Sequence, residues 1–75
     1  MYNKIEEIKN ELGAWASEPL VEMIANGVIR GKAPLSHDLM LPDGHVKKYG
    51  PLDLTEKDIR TLIVADRLVK ERYDS

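Results

Sequence analysis

The chain has 75 residues, no cysteine and a net charge of −2. That is one domain with a thin core, able to bury only about 60 % or a little more of the surface its unfolded form exposes. No disulfide or thiolate–metal site reinforces it, and its overall charge is not that of a simple nucleic-acid-binding domain, which would be basic.

The opening MYNKIEEIKNE carries charges where a signal peptide would have its apolar run,. No apolar stretch approaches the roughly 20 residues needed to span a bilayer. A soluble protein of the cytoplasm with no membrane partner is therefore expected, and the lack of cysteine fits a reducing compartment. Charge is unevenly spread. Residues 1–27 hold two lysines against five glutamates, residues 28–50 four bases against two acids, and residues 51–75 five bases against six acids. An acidic opening and a basic middle suit a partner with its own charge mosaic.

A first helix is expected over residues 3–16. Asn3 is placed to cap it, with Glu6 at the capping-box spacing. Ile5, Ile8, Leu12 and Trp15 or Ala16 recur at helical spacing as one apolar stripe. Early glutamates favour the positive end of the helix dipole. Gly13 weakens this helix by up to about 1 kcal/mol relative to alanine, and is expected to leave room for another backbone near Trp15. Ser17-Glu18-Pro19 then reads as a stop and restart, with Ser17 capping a second, short helix. That helix carries Leu20, Val21, Met23 and Ile24. Asn26-Gly27 ends it, Gly27 taking the left-handed position after the last turn, with Val28 and Ile29 folding back.

Residues 31–54 hold three of the four prolines and three of the five glycines, a mostly irregular middle. Within it, 39–41 and 46–49 read as two short strands around the turn-forming Pro42-Asp43-Gly44. A single helical turn capped by Ser36 competes with that hairpin. The third helix is the clearest element: Thr55 caps it, Asp58 completes an acidic capping box, and it runs to Arg72 or Tyr73. Ile59, Leu62, Ile63, Val69 and Tyr73 share one arc facing the core. Glu56–Arg60, Asp66–Lys70 and Arg67–Glu71 stand at ion-pair spacing. Asp66 falls inside the apolar arc. It is either a partly exposed partner of Lys70 or a buried carboxylate receiving hydrogen bonds from Trp15, a helix N-terminus or Arg30.

The expected fold is mostly α, a small three-helix domain with a long irregular middle. Helices one and three pack together through Ile5, Ile8, Leu12, Trp15, Ile59, Leu62, Ile63 and Val69, the second helix caps one end, and the middle wraps outside. Trp15 is the expected core anchor, with Gly13, Gly27 and Asp66 as further structural residues. The alternative is Trp15 as an exposed anchor for a partner.

His37, Asp38, Asp43 and His45 are the best metal-ligand types present, but nothing in their spacing fixes a geometry, and no metal site or cofactor is expected. Phosphate loops, nucleophile elbows and paired-carboxylate motifs are lacking, so no catalysis is expected. Partner contact is expected instead. Glu6, Glu7 and Glu11 would meet a basic protein surface. Arg30, Lys32, Lys47 and Lys48 would approach phosphate, with Tyr49 stacking on a base.

ELGAWASEP followed by MIANGVIRGKAPLS resembles the N-terminal segment of the Q family of phage late-gene antiterminators. In that group a helix ends in a Trp-Gly-x-Trp-Ala phrase, and a short Ile-Ala-x-Gly helix with a Leu/Ile-Pro exit follows. Gly13, Trp15 and Ala16 match the first phrase, with Leu12 in place of its leading tryptophan. Ile24, Ala25 and Gly27 match the second, and Ala33-Pro34 echoes the exit. EKDIRTLIVADRLVKE is similar to the helix that precedes the family's helix-turn-helix, for which these 75 residues hold no counterpart. The resemblance implies a small phage-encoded protein, monomeric when free. It would bind the host bacterial RNA polymerase, altering termination or inhibiting initiation, with its basic middle near nucleic acid. Two rivals remain: a small DNA-binding repressor or excisionase-like protein, and a helical adaptor or inhibitor of another host protein. The third helix argues against the former, since Lys57, Arg60, Lys70 and Arg72 are scattered around its circumference.

Overall fold

The computed structural model describes residues 1–74, with the side chains of residues 1–72. In chain order the elements are α1 (Ile5–Glu11), α2 (Ala14–Ala25), β1 (His37–Met40), β2 (Val46–Tyr49) and α3 (Glu56–Asp74). The chain is thus mostly α with a small antiparallel hairpin, as its residue pattern predicts.

The first helix is not one element over residues 3–16. It breaks at Gly13, whose φ of +99° lies where only glycine is at ease,. The Gly13 N–H donates to the Ile8 and Lys9 carbonyls, closing α1, while its own carbonyl accepts from Ala16 and Ser17, opening α2. One residue therefore makes the corner. Only the Trp15 ring comes near the position of a Gly13 Cβ, so the glycine admits a turn and not a neighbouring backbone. Ser17 is buried inside α2 and Pro19 lies within the helix, correcting the expected restart. Proline removes one donor there, and the helix persists because Ala16, Leu20, Met23 and Ile24 on either side are all locked in the core,.

Asn3 does not cap α1. Its side-chain oxygen accepts from the Asp53 N–H at 3.0 Å, and the backbones of Tyr2 and Leu54 exchange hydrogen bonds of 2.7 and 3.0 Å. Lys4 takes the cap position, and Glu7, not Glu6, closes the first turn by accepting from the N–H groups of Asn3 and Lys4. The chain start is thereby stitched to the residues leading into α3.

α2 is the hub of the core. It packs against α1, α3 and β2, whereas helices one and three were expected to pack mainly on each other. The reason lies in its i, i+4, i+7, i+8 series. Ala16, Leu20 and Ile24 are fully buried and Met23 nearly so, and a large apolar side chain so buried contributes about 1.5–3 kcal/mol,. Ile5 and Ile8 come in from α1, Ile59 and Ile63 from α3, and Tyr49 and Leu52 from the middle. Leu12 and Leu62 pack at the margin. Trp15 and Val69 are exposed, so two of the eight expected core contacts fail.

The end of α2 is as expected. Gly27 adopts φ +75°, its N–H donates to the Ile24 carbonyl, and the Val28 N–H reaches the Met23 carbonyl at 2.8 Å. These two bonds define a Schellman cap. Ile29 folds back against the core while Val28 stays exposed.

In the middle, β1 pairs with β2 in the register His37–Tyr49 to Met40–Val46. The turn is held by Leu41 N–H to the His45 carbonyl and by Asp43 Oδ1 accepting from the His45 N–H. This is the hairpin alternative, with β1 starting two residues earlier than expected. Residues 30–32 then cross 50–51, with Gly50 N–H to Arg30 O at 2.7 Å and Lys32 N–H to Pro51 O at 2.9 Å. A Cβ on either Gly31 or Gly50 would overlap the facing carbonyl group, so both must be glycine. The middle does not merely wrap outside, since this crossing seats Tyr49 and Leu52 in the core.

α3 begins as expected. Thr55 Oγ1 accepts from the Asp58 N–H, and Asp58 returns the contact to the Thr55 N–H. The molecule measures 37 × 27 × 21 Å, and α3 accounts for its elongation: among the described side chains, none beyond Ile63 is buried. The Tyr73 side chain, expected on the inner stripe, lies outside those described.

Candidate partner-binding surface

The acidic face expected on α1 is smaller than its composition suggests. Glu7 is committed to the cap, and the N–H groups of Asn3 and then Lys4 hold its carboxyl below the ordinary carboxylate range. Its assignment to a partner is corrected accordingly. Glu11 lies beside the Tyr2 hydroxyl and, by accepting from it, raises that phenol above its ordinary range. Glu6 borders a hollow between α1 and β1 that Lys4, Lys9 and His37 also line.

The basic middle does not converge into one patch. Lys32 pairs with Asp53 at 2.6 Å and Lys48 with Asp38 at 3.0 Å. Lys47 turns the other way, because successive strand residues face opposite sides. Its ammonium donates at 3.4 Å to the Ala25 carbonyl in the last turn of α2. Arg30 is exposed and its carbonyl holds Gly50. Tyr49 is 4 % exposed and its hydroxyl accepts from the Ile5 N–H at 3.1 Å. A base has no access to such a ring, so the stacking role is corrected: Tyr49 is a core residue. The strand alternation that buries Tyr49 also turns Lys47 inward.

The four metal-ligand types separate in the same way. His37 stacks on Tyr49 at 5.2 Å, Asp38 holds Lys48 on the opposite face, and Asp43 contacts His45 at the turn. Asp66 is the partly exposed partner of Lys70, at 3.3 Å, and not a buried acceptor. Lys70 also reaches Glu22 on α2 at 3.1 Å, and these two carboxylates, Glu22 first, raise its ammonium above its ordinary range. Lys70 thus ties the outer half of α3 back to α2.

Trp15 is the main departure. It is 46 % exposed at the start of α2, with the Arg60 guanidinium of α3 5.1 Å above its ring. The break at Gly13 is the cause: a new helix starting at Ala14 sets Ala16 and Leu20 inward and rotates Trp15 out. Arg60 leads to further exposed apolar surface. Val64 and Leu68 are 55 % and 56 % exposed, and Val69 and Val28 are exposed beside them. The signal was present in the residues. α3 carries two series at i, i+3, i+4, i+7 spacing, Ile59-Leu62-Ile63-Asp66 and Thr61-Val64-Ala65-Leu68, and only the first finds the core.

Tryptophan and arginine over an apolar strip is the composition enriched at protein–protein hot spots. On the described residues this surface is better built for a partner than the α1 acids or the middle cations. No described helix is long and apolar enough to cross a membrane. Six residues of the antiterminator-like phrases have plain structural work in α2: Gly13 starts it, Gly27 ends it, Ala16 and Ile24 are buried, Ala25 is its last residue and Trp15 is its second. Comparison with protein-family models, with curated proteins and with solved structures finds no match to this chain.

Proposed function

We propose that this chain is a non-catalytic regulator that works by protein–protein contact, and that its target is bacterial RNA polymerase. The observation that supports contact as its mode of action is the exposed Trp15–Arg60–Val64–Leu68 surface. Natural monomers seldom leave a contiguous apolar strip of this kind open unless something covers it. The polymerase as target rests on the antiterminator-like phrases around Trp15 and on the α3 sequence. Binding there would alter readthrough at terminators or block initiation, and Arg30, the exposed base of the middle, would lie near nucleic acid.

The DNA-binding alternative draws less support. Two of its four candidate phosphate contacts, Lys32 and Lys48, already pair with carboxylates, and α3 mixes signs around its circumference. The test is capture of tagged protein from a bacterial lysate with identification of what co-purifies, run beside a titration against duplex DNA. Recovery of polymerase subunits with no binding to free duplex is the expected result. Salt-sensitive duplex binding with no polymerase recovered would replace this reading by the repressor one.

A further inference from the structure

We propose that the outer face of α3, centred on Ala65, is a docking groove for one amphipathic helix whose apolar stripe is flanked by carboxylates. The inference rests on the reading that the chain works by protein contact, and not on the identity of the polymerase.

Shape is the first argument. Ala65 is the common wall of two apolar hollows. One, of about 400 Å³, is bounded by Arg60, Thr61, Val64 and Leu68. The other, of about 250 Å³, lies between α3 and the end of α2, against Met23, Val28, Leu62 and Val69. A low methyl ridge between two hollows is what a second helix packs across. Side chains three or four apart on that helix enter the hollows on either side, and the small residue lets the axes approach. A larger residue at position 65 would fill the crossing point.

Charge selects the occupant. The helical repeat sets Arg60 and Arg67 along one border of this face and Arg72 near the other, against a single Glu71,. Among the described residues no carboxylate pairs with Arg67, whereas Arg60 is held by Glu56 at 3.6 Å and by the Trp15 ring. A second copy of this chain would bring the same arginines face to face. A helix with glutamate or aspartate beside its apolar stripe neutralises them and supplies the partner that Arg67 lacks.

The probe is a synthetic fluorescein-labelled helical peptide with leucines at i, i+3, i+4 and i+7 and glutamates on both flanks. Its control carries lysines in place of the glutamates. Saturable binding of the glutamate peptide is expected, weaker in high salt, with amide shifts confined to α3 and the Trp15 indole. Ala65→Lys should lower affinity at least about tenfold, while its circular-dichroism melt stays that of the parent. Arg67→Glu should reverse the preference between the two peptides. The proposal is overturned if the peptides bind alike or not at all, if the shifts map elsewhere, or if Ala65→Lys binds normally. It is equally overturned if sedimentation shows a dimer that Ala65→Lys dissolves, since the occupant would then be a second copy. The two readings fail separately. Peptide binding on α3 with no polymerase captured removes the target and leaves the groove. Polymerase binding untouched by Ala65→Lys removes the groove and leaves the target.

Discussion

Replacing Trp15 by alanine tests where this residue belongs. Truncating a fully buried tryptophan costs about 3–5 kcal/mol, which is most of what a domain this small has. Trp15 keeps 46 % of its surface in solvent, so roughly half of that transfer and packing energy is at stake. The Arg60 contact adds about 0.5–1 kcal/mol at an exposed site,. Alanine's better helix propensity returns about 0.5 kcal/mol. The net loss is about 1–2 kcal/mol, or a fall in Tm of about 5–15 °C for a domain of this length. Leu20→Ala is the control, because Leu20 is completely buried at the hub, and it should cost about 2–5 kcal/mol,. Thermal melts followed at 222 nm should show Trp15→Ala cooperative and somewhat less stable, and Leu20→Ala molten or nearly so. A Trp15→Ala protein without a cooperative transition would refute the reasoning and return the indole to the core.

Gly50→Ala should be far worse than an ordinary glycine substitution. The new Cβ meets the Lys32 carbonyl and must break the paired contacts of Arg30 and Lys32, about 3–5 kcal/mol in all, read by urea unfolding,. Glu7 and Asp58 both have carboxyls held below the ordinary range, Glu7 by the Asn3 and Lys4 N–H groups and Asp58 first by the Thr55 N–H. Their stabilisation is present above the unfolded carboxylate pKa of about 4 and is lost as pH falls through the lower folded values. A Glu7→Gln, Asp58→Asn double variant should therefore show a shallower loss of stability between pH 5 and acid, about that carboxylate range; an unchanged acid profile would count against both caps. If the middle touches phosphate in a polymerase–nucleic-acid complex, Arg30→Ser should flatten the salt dependence by about one unit of slope, and Lys32→Ser, whose ammonium already holds Asp53, should change it less,.

Local chemistry made several elements legible. Thr55 with Asp58, Gly27 after Asn26, and Pro42-Asp43-Gly44 between alternating residues each name their own geometry, and each is found. The break between the first two helices was misplaced because proline is the stronger breaker on average. Here the inward series from Ala16 to Ile24 runs straight through Pro19, while Gly13 alone has the positive φ that a corner requires. Moving that boundary changes which way Trp15 faces, so one local error became an error about the candidate site. The site itself was half legible. The second apolar series on α3 can be read by counting, but whether such a face is covered depends on how many elements the domain has to cover it. Tyr49 shows the reverse case, a polar-tipped aromatic whose strand parity with Lys47 marked it as inward before its hydroxyl found the Ile5 N–H.

Binding to purified bacterial RNA polymerase, with the chain immobilised and no nucleic acid present, tests the central claim most directly. The account predicts saturable association that Trp15→Ala weakens although the variant remains folded, and that Arg30→Ser leaves largely intact. Folded wild-type protein that fails to bind polymerase, or that binds it equally well without Trp15, would contradict it.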